Sequence, residues 1–363
     1  MVVTSSAAER RSPAGFPTAT ASAAPIRKSA SPIKWWAAAG AAHFALAAYV
    51  MVRWLTSGQL HRTHPGPTQV PPHVHIALQV GAWLSPALGL AIVYVFLVRP
   101  YLKDRQLTTE GMLLIACLSL YFPYDIVNDY TADLFQYNSY FWNVGSWLGA
   151  IPGTLLPNAY KVPEPILFML PAYAWGVFMP AMIGFWAMRA LRQRWPRLST
   201  VTVFVIVLGA MAGIDLILEW GVVWLQIEAY PGAASVGSLA GGTKFQFPAW
   251  ETLLIGSIYI GGASLLLFRD DKGHTLAERG VDRIATSGVR RTALRLLATI
   301  GFMVTVMWLV FNIPIQWFAA HGGPFPTDTP SYFINEVCGP GTAYPTYPCP
   351  RAGTPIYKPG STP

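Results

Sequence analysis

The sequence predicts an all-α protein, a polytopic membrane helix bundle of about seven transmembrane helices with its N-terminus inside. Only 12 % of the 363 residues are charged and 53 % are apolar, whereas a soluble domain is about one quarter charged. Fourteen Trp and sixteen Tyr are many, and such amphipathic rings collect where hydrocarbon meets headgroups. The 25 Lys and Arg residues fall in short clusters between apolar runs. Those clusters read as topology signals. The formal charge of +8 does not form the basic patch that a nucleic-acid partner requires.

Residues 1–34 are rich in Ala, Ser, Pro and Thr and carry Arg10, Arg11, Arg27 and Lys28. Such a mix buries too little apolar surface to order itself, so a disordered basic tail is expected. A secretory signal would place a short apolar stretch soon after the first basic residues, with a small-residue cleavage site behind it. Here the first apolar run begins at Trp35 and continues for a full membrane width, which reads as an anchor.

A spanning helix needs about 20 mostly apolar residues. Such stretches run from Trp35 to Trp54, Ile76 to Val98, Gly111 to Val127, Pro165 to Met188, Thr200 to Leu225, Ala249 to Phe268 and Thr292 to Phe318, a bundle over residues 35–320. The third is short, is interrupted by Pro123 and runs into the aromatic segment 134–156, which hydropathy leaves open as an interfacial helix, a re-entrant piece or an eighth span. Basic residues in short loops should alternate with each crossing. Seven crossings put 19 of the 25 on the inner side, in the tail, around Arg99 to Arg105, around Arg189 to Arg197 and from Arg269 to Arg295. An eighth span would spoil that alternation. The Gly/Pro-rich residues 321–363 then lie outside.

Cys117 falls within the third span and reads as a small buried hydrophobe, while Cys338 and Cys349 share the outer tail. A disulfide persists in an oxidising compartment, which favours a bridge over two free thiols.

Charged groups inside a bilayer are expensive and face a bundle interior or a wet cavity, so each is a functional candidate. Asp125 and Asp129 close the third span, Asp215 and Glu219 lie in the outer half of the fifth, Glu228 follows it, and Glu251 begins the sixth. No basic residue in the same spans is placed to neutralise them. Both Asp125 with Asp129 and Asp215 with Glu219 are four apart, which on a helix puts two carboxyls on one face. Two carboxyls in a low-dielectric pocket cannot both ionise cheaply, and the result is an acid beside a base. That pairing suits proton transfer during carbon–oxygen bond making and breaking. The plainer reading is that Asp129, Asp133 and Glu228 are solvated at the interface or cap helix ends, and that Glu251 serves a helix N-terminus.

His61, His64, His73 and His75 fall in the outer loop HRTHPGPTQVPPHVH. Their spacing fits no zinc or di-iron pattern and no carboxylate is interleaved, so no metal is expected there. His43 in the first span reads as a satisfied core histidine. The sequence has no GxGxxG loop opening a helix, no phosphate loop, no Gly-x-Ser-x-Gly elbow and no HExxH, so nucleotide-driven and zinc-protease chemistry are unsupported. Gly261 with Gly262 suggests close helix packing.

Several stretches resemble the AveC-like spirocyclase family of actinobacteria over roughly Ser31 to Cys349. They are SPIKWWAAAG from Ser31, FLVRP from Phe96, FQYNSYFWNVGSW from Phe135, RWPRL from Arg194, FRDDKGHTLAERGVDR from Phe268 and YFINEVCGPGT from Tyr332. The resemblance implies a multi-pass membrane protein acting late in polyketide assembly. Its hydrophobic dihydroxy-ketone substrate would be closed to a spiroketal, with dehydration as well in some members. It assigns no catalytic residues.

The carboxyl pairs suit that reaction. A hemiketal loses water to give an oxocarbenium-like cation, and a second hydroxyl adds to one face. A protonated carboxyl assists the departure of water, and a neighbouring carboxylate stabilises the cation and takes the last proton. No cofactor is needed. The residue roles expected are Asp215 and Glu219 as acid and base in either order, then Asp125, Asp129 and Glu251, with Tyr137, Tyr140, Trp142 and Trp147 holding the polyketide in one folded pose. A transporter is the rival class, but the chain lacks evident duplicated halves and its acids lie near one membrane face, away from the midplane where transporter sites sit.

Overall fold

The computed structural model describes residues 31–284, 287–339 and Cys349. Most of the expected 1–34 tail, and residues 340–348 and 350–363 of the expected 321–363 tail, lie outside the described residues. Among the described residues seven helices form the bundle. Six are long and apolar enough to cross a membrane: α1 (Pro32–Leu55), α2 (Pro72–Asp104), α3 (Thr109–Asp129), α4 (Ile166–Arg194), α5 (Thr200–Trp224) and α7 (Gly288–Ala320). The shorter apolar helix α6 (Glu251–Leu267) has 17 residues, about 25 Å at 1.5 Å per residue.

The loops gather at two ends. At one, the segment after α6 is held by charge: Arg269 meets Glu110 at 2.6 Å, Arg295 meets the fully buried Glu278 at 2.8 Å, and Lys272 and Arg291 both reach Asp282. The backbone N–H of Ile33, at the start of α1, donates to Arg279 O there. The clusters around Arg99 and Arg189 sit on the helix ends that point the same way. This is the basic end, where three of the basic clusters read from the sequence gather.

At the other end, segments 56–71, 130–164, 226–250 and 321–339 fold together into a cap. Segment 134–156, left open by hydropathy, forms no further span. It holds strand β1 (Gln136–Tyr137), a short 3-10 turn at Leu148–Ala150 and irregular chain. Strand β1 pairs antiparallel with β2 (Glu228–Ala229), and β3 (Ser238–Leu239) pairs with β4 (Phe247–Pro248). Side chains tie the rest: Thr63 N–H donates to Asn143 Oδ1 at 2.9 Å, Ser139 Oγ donates to Tyr332 O at 2.8 Å, and Tyr332 OH donates to Gln226 Oε1. Lys161 pairs with Glu336 at 3.1 Å, and Cys338 and Cys349 are joined by a disulfide.

Prolines shape the spans. Each of three π-helical turns, Tyr94–Val98 in α2, Tyr173–Phe178 in α4 and Trp308–Asn312 in α7, contains the residue four before a proline: Phe96 before Pro100, Gly176 before Pro180 and Val310 before Pro314. A proline has no N–H for the carbonyl four residues earlier, and the helix widens at that carbonyl. In α3, Phe122 is extended (φ −110°, ψ 119°) because Pro123 follows it. The helix kinks there, and α3 finishes as a 3-10 turn at Asp125–Asp129. Trp147 of the cap donates from Nε1 to the freed carbonyl of Pro123 at 2.9 Å.

Helices approach closely where glycine allows. A Cβ on Gly40 of α1 would stand 2.1 Å from Leu297 O of α7, and one on Gly301 of α7 would stand 1.9 Å from Trp36 O of α1. Gly261 faces Val306 of α7 and Gly262 faces Ala181 of α4 in the same way.

Candidate functional site

A hollow of about 280 Å³ lies beneath the cap, walled by α3 to α7. Among the described residues its lining is mostly apolar, with five carboxyl residues, Asp125, Asp215, Glu219, Glu228 and Glu251, and no Lys, Arg or His.

One group of acids comes from α5 and α6. Asp215 and Glu219 stand one turn apart on α5, and Glu251 opens α6 beside them. Tyr259 OH donates to Asp215 Oδ1 at 2.8 Å, and Tyr230 OH donates to Glu219 Oε2 at 3.4 Å. One oxygen from each carboxyl lies within 4.8 Å of the others. Asp215 Oδ2 is buried without a hydrogen-bond partner, and the Glu219 and Glu251 carboxyls lie within hydrogen-bond reach of each other. At an effective dielectric near 20, two unit charges at that separation repel by about 3 kcal/mol, so three charges would cost about 10 kcal/mol. The group therefore shares protons or holds a cation; its spacing is also one that a divalent ion with oxygen ligands bridges.

The second group faces it from α3. Asp125 Oδ2 accepts from Tyr137 OH at 3.0 Å. Behind it, outside the lining, Glu164 Oε1 accepts from Tyr121 OH at 2.9 Å. Burial first, and then the neighbouring Asp125 charge, hold the Glu164 carboxyl well above the ordinary carboxylate range. Glu228 joins the two groups. Its carboxyl is pushed well up by burial and next by Glu219, Asp125 and Asp215, so it lies within electrostatic reach of both. Tyr137 and Tyr230 are likewise raised, by burial and then by the Asp125 and Glu219 charges respectively.

The residues expected from the sequence divide. Asp215, Glu219, Asp125 and Glu251 line the hollow together. Asp129 does not. The spacing argument assumed a helix, but residues 125–129 form a 3-10 turn, which has about three residues per turn and places positions four apart on different faces. Asp129 instead accepts at Oδ1 from Leu134 N–H (2.8 Å) and Phe135 N–H (2.9 Å), closing the next turn. Of the four aromatics, only Tyr137 reaches the hollow. Trp147 is fully buried against Pro123, Trp142 is 54 % exposed, and Tyr140 packs on Tyr332. Trp147 and Tyr140 make cap contacts, and Tyr140 OH donates to Thr68 O at 3.2 Å. Glu228 is buried and not solvated, because its strand pairs with β1 over the hollow. Glu251 is buried in the wall of the hollow and also sits in the first turn of α6.

Glu164, Tyr121, Tyr173, Tyr230 and Tyr259 went unread in the sequence. Glu164, between Pro163 and Pro165 just before a span, reads in the sequence as an ordinary loop acid, and only the folded cap buries it. His43 is buried with Nδ1 3.3 Å from Tyr124 OH. Among the described residues the histidines of the 61–75 loop form no three-ligand group.

The family model described as spirocyclase, AveC-like, matches residues 104–333, well over half the chain. No curated protein and no solved structure matches it. The segments from Phe135, Arg194 and Phe268 lie inside the match, and those from Ser31 and Phe96 lie before it. Every residue lining the hollow, from Leu120 to Phe311, falls within the matched stretch. The chain belongs to the AveC-like spirocyclase family.

Proposed function

We propose that the protein is a membrane-bound enzyme that closes a spiroketal from a dihydroxy-ketone polyketide by acid/base-assisted loss of water, without a cofactor. Membership of the family supports a spirocyclase-type function in polyketide biosynthesis. The observation that carries the mechanism is the pair of carboxyl groups on facing walls of an apolar hollow with no cationic side chain.

One hydroxyl of the substrate adds to the ketone and gives a hemiketal. A protonated carboxyl of the Asp215–Glu219–Glu251 group donates its proton to the hemiketal hydroxyl, the carbon–oxygen bond breaks, and water leaves. The oxocarbenium ion is stabilised by negative charge on the walls, Asp125 opposite and the conjugate carboxylate beside it. The second hydroxyl attacks one face of the cation and passes its proton to that carboxylate, which restores the starting state. Atoms balance as substrate to spiroketal plus one water. The rigid walls around Phe135, Tyr137 and Tyr230 set the attacking face.

The test is to give purified protein in lipid nanodiscs an acyclic dihydroxy ketone and resolve the product by chiral chromatography. One spiroketal stereoisomer in excess, formed above the buffer rate, is expected. A racemic product at the buffer rate overturns the reading.

A further inference from the structure

The wall of the hollow is unevenly covered. Three lining residues are strongly exposed, and all three are apolar and lie on α4 and α5: Ile183 at 42 %, Ile214 at 47 % and Leu218 at 59 %. The lining residues supplied by the cap, Phe135, Tyr137, Glu228 and Tyr230, are buried. Helices α4 and α5 pack together toward the basic end, where Met188, Val203, Val207 and Phe185 share one cluster. Under the cap, Met169, Trp175 and Val222 share another. Between these two clusters the hollow is lined by Gly176, Pro180 and Ile183 on one helix and Ile214 and Leu218 on the other, and a Cβ at Gly176 would meet nothing within 4 Å, which marks a parting of the helices. The π-helical turn at Tyr173–Phe178 lies at this parting. Leu218 is six residues before the cap end of α5, about 9 Å down the helix, which is within the hydrocarbon of a spanned bilayer.

Size points the same way. A hollow of about 280 Å³ falls just short of the roughly 300–1,000 Å³ that encloses a drug-sized ligand. Such a volume has room for the reacting end of a long substrate, and the strongly exposed lining beside it is hydrocarbon-like.

We infer that the hollow is loaded sideways from the bilayer through the parting between α4 and α5. Its ligand is a membrane-dissolved amphiphile: hydroxyl and carbonyl oxygens at one end meet the carboxyls, and an apolar chain stays between Ile183 and Leu218. The identity of the polar end rests on the spirocyclase reading; the route does not.

The probe is a long-chain acyclic dihydroxy ketone with a diazirine at the tip of its alkyl chain, photolysed with the protein in phosphatidylcholine vesicles. Peptide mass spectrometry then locates the label. Label on α4 and α5 around Ile183, Ile214 and Leu218, competed by unlabelled dihydroxy ketone, is expected. Gly176→Phe should lower that label about tenfold or more, since a Cβ at Gly176 meets nothing within 4 Å and the ring has the parting to fill. The melting temperature of the variant checks that it is folded, and Gly176→Leu is the smaller plug if it is not. Label on the cap segments in place of the helices overturns the route, as does label unaffected by either plug. Equal labelling by an alkyl diazirine without oxygens would mean that any acyl chain fills the gap and would overturn the polar recognition. Labelling is read without turnover, so a correctly labelled but inactive protein counts against the reaction and not the route.

Discussion

Tyr137 stands opposite Glu228 in the short β1–β2 ladder, and its hydroxyl donates to Asp125 at 3.0 Å. One cap residue thus connects a strand partner on one side of the hollow to the α3 carboxyl on the other. The ladder itself is backbone, so the cap can keep its shape when the hydroxyl is removed.

Tyr137→Phe is therefore expected to leave the melting temperature nearly unchanged and to slow cyclisation. A hydrogen bond to a charged group is worth about 1.5–3 kcal/mol, which corresponds to a fall of about ten- to a hundredfold in kcat. Steady-state rates in nanodiscs decide it; wild-type kcat in Tyr137→Phe would remove Asp125 from the reaction.

Glu164 makes stability depend on pH. Its folded-state pKa is raised by burial and by Asp125, while an unfolded Glu titrates near 4.3. Below about pH 4.3 both states hold the proton and the folded state keeps its full stability. Above that, the unfolded state releases the proton first, so stability falls until the pH passes the raised folded value. Thermal unfolding from about pH 4 to about pH 9 should show Glu164→Gln gaining on the wild type as pH rises. A constant gap between the two proteins would contradict the assignment.

At the basic end, Glu278 is fully buried and paired with Arg295 at 2.8 Å. Removing one partner of a buried pair leaves an uncompensated charge, at a cost of about 3–5 kcal/mol. Arg295→Met should lower stability by about that much, and the double variant Glu278→Gln with Arg295→Met should recover most of it. Denaturant titration of the four proteins measures the coupling; additive effects would contradict it.

Chelation separates the two ways of neutralising the Asp215–Glu219–Glu251 group. Under the proton-sharing mechanism, protein dialysed against EDTA keeps its rate and product chirality. Activity lost on dialysis and restored by one divalent ion would transfer the chemistry to a metal held by these three carboxyls, whose oxygens lie within 4.8 Å of one another.

Much of the bundle was legible because hydrocarbon imposes a simple rule on composition. All seven apolar stretches correspond to helices within a few residues at most ends, and Asp215 with Glu219 stood out as charges inside an otherwise apolar run. Asp125 and Asp129 looked identical to that pair by spacing, yet Phe122 and Pro123 break the helix just before them, and only Asp125 lines the hollow. The aromatic segment 134–156 was legible as interfacial in character but not in form. Trp147 Nε1, Asn143 Oδ1 and Ser139 Oγ meet backbone atoms of Pro123, Thr63 and Tyr332, partners distant in sequence that no local pattern specifies. Glu164 and Glu228 reach the site through loops, and only the closed cap brings them beside carboxyls from α3 and α5.

The carboxyl hollow is tested most directly by the double variant Asp215→Asn with Glu219→Gln, assayed in nanodiscs for both rate and stereochemistry of ring closure. Losing a positioned acid and base costs about 10²–10⁴-fold, so closure should fall to near the buffer rate and the product should become racemic. A double variant that still forms one stereoisomer at the wild-type rate would contradict the account.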